Sequence, residues 1–252
     1  MTGTAKHPVM HVVDGRYRAG VDDLAVEAHI SISSNAGHSV DLLGTPLNVV
    51  DLAIGHAVCE GWWLGGGEPP TVEHEIVDRM EVLTLTAEAW SSPLPHRHIV
   101  PSCGGCGLTL NHPTLGTALP YGQRVELDEA LDLVRRMQDE QHLFMSTGGT
   151  HAAALVTTGG WLLREDIGRH SAVDKAIGAW FASGSRPEVR CLIVSGRCGW
   201  DVMAKAVRAG VRQVIAIGAI SAQAAELARH EGVLVVGFAL GERPQCLGPW
   251  SS

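Results

Sequence analysis

From Cys191 to Leu240 solid apolar runs alternate with amphipathic stretches: CLIVSG, WDVMAKAVRAG, VRQVIAIGA, SAQAAELARHEG and VLVVGFAL. Unbroken apolar runs of this length suit strands buried on both faces, and such strands need helices on each side. Connections that contain a helix are long enough to return the chain to the same end, so parallel pairing is possible. The pattern therefore predicts an α/β fold with a largely parallel sheet. No other feature of the chain narrows its fold so far.

The preceding residues are more mixed. AVEAHISIS alternates, with Val26, Ala28, Ile30 and Ile32 on one face and Glu27, His29, Ser31 and Ser33 on the other, as a half-buried strand does. Thr45-Pro46 reads as a turn before a helix from about Val49 to Glu60, stopped near Gly61. EVLTLTAEAW is a second alternating strand, with Leu83, Leu85, Ala87 and Ala89 facing one way. Glu126 opens an amphipathic helix striped by Leu127, Leu131, Val134 and Met137. HAAALVTTGGWLLRED reads as a hairpin, and IGRHSAVDKAIGAWFASG as a helix ending at Gly184. Between Ser91 and Gly122 the chain is rich in Pro, Gly and His without periodicity, and loops of such length are usually functional. Two parts are expected: a mixed N-terminal part, 1–123, ending in this loop, and an α/β part, 124–252.

Composition excludes some functions. A net charge of −8 argues against a general nucleic-acid binder, which needs a basic face, although helix N-termini and a few arginines still hold phosphate locally. No apolar run is long enough to span a bilayer, and MTGTAKHPVMHVVDG lacks the apolar core of a signal peptide. A cytoplasmic protein without membrane contact is expected, and there cysteines stay reduced. The six cysteines, at 59, 103, 106, 191, 198 and 246, are too few for a disulfide scaffold.

Two constellations carry candidate chemistry. The loop segment PSCGGCGLTLNHP holds Cys103 and Cys106 among glycines. With His96 and His98 they supply enough ligands for tetrahedral zinc. Zinc deaminases pair such cysteines with an upstream His-x-Glu whose Glu shuttles protons, and no His-x-Glu occurs here. Catalytic zinc therefore lacks its shuttle, while structural zinc stays open. A redox dithiol would favour a helix start, which CGGCGLTL does not suggest; two loop cysteines without a role are the plain alternative. The second constellation joins TGGTHAAAL to REDIGRHSAVDKAIG. Singly, its members have ordinary readings: Asp166 as a helix cap, an Asp166–Arg169 pair, His170 as a satisfied polar residue. Together, at a strand-to-helix turn after Gly148-Gly149, they occupy a place where α/β proteins build sites.

SCGGCG, TGGTHAAAL, REDIGRHSAVDKAIG, SGRCGWDVMAKAVRAGV and LVVGFALGER occur in this order, and together they resemble the FdhD family of formate dehydrogenase accessory sulfurtransferases over about residues 45–245. Leu43-Gly44-Thr45-Pro46, Cys198 and the segment GAISAQAAELA depart from the family's usual pattern, as in a divergent member. The resemblance implies a cytidine-deaminase-like three-layer C-terminal part and a homodimer. It also implies a sulfurtransferase that takes persulfide sulfur from a cysteine desulfurase. The sulfur passes to the molybdenum bis(molybdopterin guanine dinucleotide) cofactor before that cofactor enters formate dehydrogenase; no resident metal is expected. Cys103 aligns with the persulfide-bearing cysteine and Cys106 with its partner. Ala239, Leu240, Gly241, Glu242, Arg243 and Pro244 align with the cofactor-binding stretch.

From its place after a strand, Arg197 is read as the start of a phosphate-facing helix. Arg169, Arg197 and Arg243 are the charged contacts expected for the guanine-dinucleotide phosphates, Gly148, Gly149 and Gly196 permit close approach, and His151 and His170 complete the set. A sulfur carrier needs a thiolate that attacks a persulfide and then presents an exposed terminal sulfur. A second thiol three residues away can attack the inner sulfur, closing a disulfide and expelling sulfide. Two rivals stand beside this reading: a non-enzymatic guanine-nucleotide or pterin-cofactor chaperone with structural zinc, and a paralogue that sulfurates another molybdenum or tungsten enzyme.

Overall fold

The apolar runs near the C-terminus do become parallel strands. In the computed structural model, which describes residues 2–63, 67–91, 113 and 115–249, β1 (Thr4–Val13) and β2 (Arg16–Ala25) form an antiparallel ribbon. β3 (Ala28–Ser34), β4 (Ser39–Gly44), β5 (Thr71–Val77) and β6 (Met80–Thr86) make a sheet of order β4-β3-β6-β5. Helix α1 (Val49–Cys59) lies between β4 and β5 in the chain. There follow α2 (Leu127–Glu140), α3 (His142–Thr147), the hairpin of β7 (His151–Thr157) and β8 (Gly160–Asp166), and α4 (Arg169–Ala182). The alternating region supplies β9 (Val189–Val194), α5 (Trp200–Ala209), β10 (Gln213–Ala216), α6 (Ala222–His230), β11 (Leu234–Gly237) and β12 (Gln245–Leu247).

These last strands form a sheet of order β12-β11-β10-β9-β7-β8. Parallel pairing is confined to β9, β10 and β11, because the β7–β8 hairpin joins β9 antiparallel and β12 folds back on β11. The sheet is thus less parallel than its apolar runs suggest: runs of this kind report burial on both faces, not strand direction. Leu155, Leu192, Val214 and Val235 face a core shared with α1, α4, α5 and α6. On the other face Ala154, Ile193, Ile215 and Val236 pack against Ala130, Val134 and Met137 of α2. Leu127 of the expected α2 stripe is instead exposed, since the buried stripe turns one residue further round the helix.

The first core also takes in Ile30 and Ile32 of β3 and Leu83 and Leu85 of β6, so α1 and α4 are packed between the two sheets. They cross almost backbone to backbone. A Cβ on Gly55 would lie 1.7 Å from Asp174 O, and one on Gly178 would lie 1.8 Å from Asp51 O. Buried ion pairs tie the same layers together: Lys175 Nζ lies 2.6 Å from Asp166 Oδ2 and donates to Thr45 O, and Lys205 Nζ reaches Asp174 and Glu60. Such pairs stabilise less than equal apolar packing would, but they allow one relative placement of α1, α4 and α5. Among the described residues no helix is long and apolar enough to cross a membrane.

Candidate functional site

Because β9, β10 and β11 are parallel, their C-terminal ends meet at one edge of the sheet, where α4, α5 and α6 begin. Antiparallel β7 starts at this edge with His151. Beyond the strands the backbone continues in hydrogen-bonded steps: Gly218 N–H donates to Gly196 O at 3.0 Å, and Phe238 N–H donates to Gly218 O at 3.0 Å. A Cβ on Gly218 would lie 3.0 Å from both Arg197 N and Gly196 O, so a side chain there would push the two turns apart by a few tenths of an ångström. The Arg197 Cγ is equally near, which lays that side chain across Gly218. Phe238 holds a left-handed backbone at φ 51, a costly conformation for an aromatic residue, and leaves its ring exposed.

The helix starts carry the charge. Arg169 and His170 are the first residues of α4, and both turn towards Asp201 in the first turn of α5. His170 Nε2 hydrogen-bonds Asp201 Oδ2, and Arg169 lies 3.4 Å from the same oxygen. Burial opposes ionisation of Asp201, yet the hydrogen bond and charge of His170, the Val202 N–H and Arg169 outweigh it, holding the carboxyl well below the usual carboxylate range. His151 behaves in the opposite sense: burial, then the charges of Arg169, His170 and Arg197, lower its pKa and keep its imidazole neutral. Neither Arg197 nor Arg243 makes an ion pair among the described residues, and Arg197 is exposed. The edge therefore combines helix N-termini, the Arg197 guanidinium, Arg169 and His170 pinned on the Asp201 carboxylate, a neutral imidazole and a bare aromatic ring. The first two favour an anion.

The residues singled out from sequence divide accordingly. His151, Arg169, His170, Gly196 and Arg197 converge on this edge. Gly148 is the left-handed cap of α3 and Gly149 lies against Ala25, beside the start of β7. Leu240, Gly241, Glu242 and Arg243 are exposed in the turn between β11 and β12, with Pro244 half-buried, whereas the side chain of Ala239 is in the second core. Asp166 does not cap α4, whose N-cap is Gly168, and it does not pair with Arg169. It is fully buried on Lys175 and accepts from Thr45 N–H and Gly168 N–H. Asp201, Gly218 and Phe238 escape a reading of the sequence. Asp201 reads there as an ordinary first-turn acid, and Phe238 as the end of an apolar strand.

Cys103, Cys106, His96 and His98 lie outside the described residues. The other cysteines can be judged. Burial raises the thiol pKa of Cys59, Cys191 and Cys198, that of Cys198 to about 12, and Cys246 is raised as well. None of these four is a ready nucleophile. No group of three or more metal-ligating side chains occurs among the described residues.

A glycine-stepped strand edge ringed by helix N-termini and guanidinium groups, on sheets packed with helices, defines a mixed α/β protein. The chain belongs to the FdhD/NarQ family, whose model matches residues 25–248. It is 32% identical to the sulfur carrier protein FdhD of Streptomyces avermitilis, over 94% of this chain and 91% of that one. It is 33% identical to the sulfur carrier protein FdhD of Nocardia farcinica, over 95% and 91%. In structure it resembles a formate dehydrogenase accessory protein from Desulfotalea psychrophila, with a TM-score of 0.75 at 16% identity and 98% coverage of both chains. That likeness shows the mixed α/β fold.

Proposed function

We propose that the protein is a cytoplasmic sulfur carrier that matures a molybdenum-dependent formate dehydrogenase. The observation that carries the reading is the strand edge on which Arg169, His170 and Arg197 meet Phe238 at the helix starts, in a chain whose relatives are named sulfur carriers. The substrate is the molybdenum bis(molybdopterin guanine dinucleotide) cofactor. Arg197 offers bidentate hydrogen bonds to its phosphates, while Asp201 holds Arg169 and His170 against the same anion. The Phe238 ring supplies a face for the guanine, and neutral His151 is free to donate to or accept from a sugar hydroxyl or base edge. The sulfur chemistry falls to Cys103 and Cys106, because burial disables the four other thiols.

In the first step the Cys103 thiolate attacks the terminal sulfur of a persulfide on a cysteine desulfurase. The desulfurase thiolate leaves, and Cys103 becomes the persulfide. In the second, the Cys106 thiolate attacks the inner sulfur, forming a Cys103–Cys106 disulfide and releasing hydrosulfide to the metal. A dithiol reductant then restores both thiols. The loop in 1–123 would thus carry sulfur and the strand edge in 124–252 would hold the acceptor. The helix–sheet–helix layering around β7–β12 supports a cytidine-deaminase-like reading of the second part.

Incubation with a cysteine desulfurase and cysteine should add the mass of one sulfur atom to the peptide containing Cys103. Cys103→Ser should abolish this, and Cys106→Ser should leave sulfur on Cys103 but impair its delivery. Guanosine diphosphate should bind, more weakly at high salt, and Arg197→Ala should weaken it about tenfold or more, as expected for a charged hydrogen bond. Sulfur loading on Cys106 alone refutes the assigned roles. Stoichiometric zinc lost on replacing His96 or His98 would instead favour a structural-zinc chaperone.

A further inference from the structure

Strand β5 is outermost in the β4-β3-β6-β5 sheet, and among the described residues nothing pairs with its free side. Asp78 and Arg79, both left-handed at φ 49 and 68, form a two-residue turn to β6, so Val77 and Met80 are the hydrogen-bonded pair that closes it. Bonding alternates from there. Thr71, Glu73, Glu75 and Val77 direct their backbone groups at β6, while Val72, His74 and Ile76 point theirs outward. The outward row is regular, because the register with β6 runs unbroken from Thr71↔Thr86 to Val77↔Met80. No proline, lysine or bulge blunts it, although edges are ordinarily closed by such devices. The side chains of Glu73 and Glu75 stand on one face, those of Val72, His74 and Ile76 on the other. Both glutamates are exposed, and neither makes an ion pair among the described residues. Ile76 is 55% exposed, and strands β3 to β6 hold no lysine or arginine.

We propose that the free edge of β5 is a docking site for an extended, basic segment of a partner protein, which adds to the sheet as an antiparallel strand. A strand in that position exchanges main-chain hydrogen bonds with Val72, His74 and Ile76, whatever its sequence. Sequence enters through the side chains directly opposite. Glu73 and Glu75 favour lysine or arginine at alternate positions on one face, and Val72 and Ile76 favour apolar residues on the other. Opposite His74, which is already bonded to buried Glu81, a small residue suffices. The recognised pattern is thus apolar, basic, small, basic, apolar. The same charges reject a second copy of this chain. Antiparallel self-pairing centred on His74 would set Glu73 against Glu75 twice, and in-register parallel pairing would align each glutamate with itself. Like charges so opposed are destabilising. The two glutamates therefore admit an oppositely charged strand while excluding copies. This edge lies on the other sheet from His151 and Arg197, and nothing in its use depends on the sulfur-carrier reading.

A labelled synthetic peptide, TIKTKVT, titrated into the whole chain at low salt and followed by fluorescence anisotropy, tests this. It should bind, while TIETEVT should not. Glu73→Lys with Glu75→Lys should weaken TIKTKVT about tenfold or more and create binding of TIETEVT, since opposed ion pairs become like-charge pairs and the reverse. Methylating the peptide amides of isoleucine, the central threonine and valine removes the donors that face β5 and should abolish binding. Methylating the two lysine amides, which face away, should leave it. In the complex the amides of Val72, His74 and Ile76 should gain protection from hydrogen exchange. No binding of TIKTKVT, equal binding of TIETEVT, charge reversal without effect, or indifference to which amides are methylated would each overturn the proposal.

Discussion

Lys175 has no access to water, and what holds its ammonium is one carboxylate, Asp166, and one carbonyl, Thr45 O. Burial raises the Asp166 pKa and lowers that of Lys175, so each group depends on the other to stay charged. Removing one partner leaves a bare buried charge. Lys175→Met should therefore cost about 3–5 kcal/mol in chemical denaturation, and adding Asp166→Asn should recover part of the loss. A double variant no more stable than the single one would show that the pair is not the cause. The same segment shows what spacing can reveal. REDIGRHSAVDKAIG is legible as a dense polar cluster at a helix start, and Arg169 and His170 do face the site. At about 100° per residue, Lys175 lies some 240° round α4 from Arg169, so the cluster was bound to split. Its inward half needed partners at Thr45, His56 and Lys205 that no local spacing announces.

At the scale of elements, α1, α4, α5, α6 and the strands between them follow from apolar periodicity, because they are buried on defined faces. The β1–β2 ribbon does not. Its apolar residues point to solvent, Pro8 interrupts the run, and the sequence reading passes over the Asp14-Gly15 turn that closes it. Helix α3 is equally silent. It is six residues long, and Glu165 holds its start by accepting from Leu143 N–H and Phe144 N–H, a contact made from another strand. The α1–α4 crossing was hidden too, since Gly55 and Gly178 read only as weak points in helices. Their absent Cβ atoms are what let the helices touch. Gly55→Ala or Gly178→Ala forces backbones apart and should destabilise by about 3 kcal/mol or more. Val50→Ala, on the exposed side of α1, should change stability little. Because α4 carries Arg169 and His170, the glycine variants should also weaken guanosine diphosphate binding. A glycine variant as stable as wild type would mean that the crossing can relax.

For the whole molecule, these local environments add up to a directional response to pH. Burial lowers the pKa of His38, and burial with nearby cations lowers that of His151. The unfolded chain thus takes up protons at these sites near pH 6.5, where the folded protein resists them. A depressed histidine stabilises above its unfolded pKa, and that stability is lost as pH falls through the folded value. The carboxylates extend the loss. Burial opposes ionisation of Asp174, but Lys205 and His56 outweigh it and hold the group to about 2 against an ordinary 3.8. A carboxyl lowered that far contributes roughly 2 kcal/mol, present above pH 4 and lost towards pH 2. Glu60 and Asp201 are lowered as well and act in the same sense. Asp166 alone opposes them, because burial raises its pKa and the folded state takes its proton first. With Glu129, lowered by its hydrogen bond to Arg190, four lowered carboxyls and two lowered imidazoles outweigh one raised carboxyl among the described residues. Melting temperature should therefore fall in two stages on acidification, the first beginning near pH 6.5 and the second below about pH 4. His38→Phe should blunt the first stage, since a ring of similar shape stacked on Trp62 takes up no proton in either state. An Asp174→Asn variant should be less stable at neutral pH and show a shallower second stage. A wild-type melting temperature that rises between pH 6.5 and pH 5 would contradict the sign for the histidines. A second stage unchanged in Asp174→Asn would remove Asp174 as a source of the acid lability.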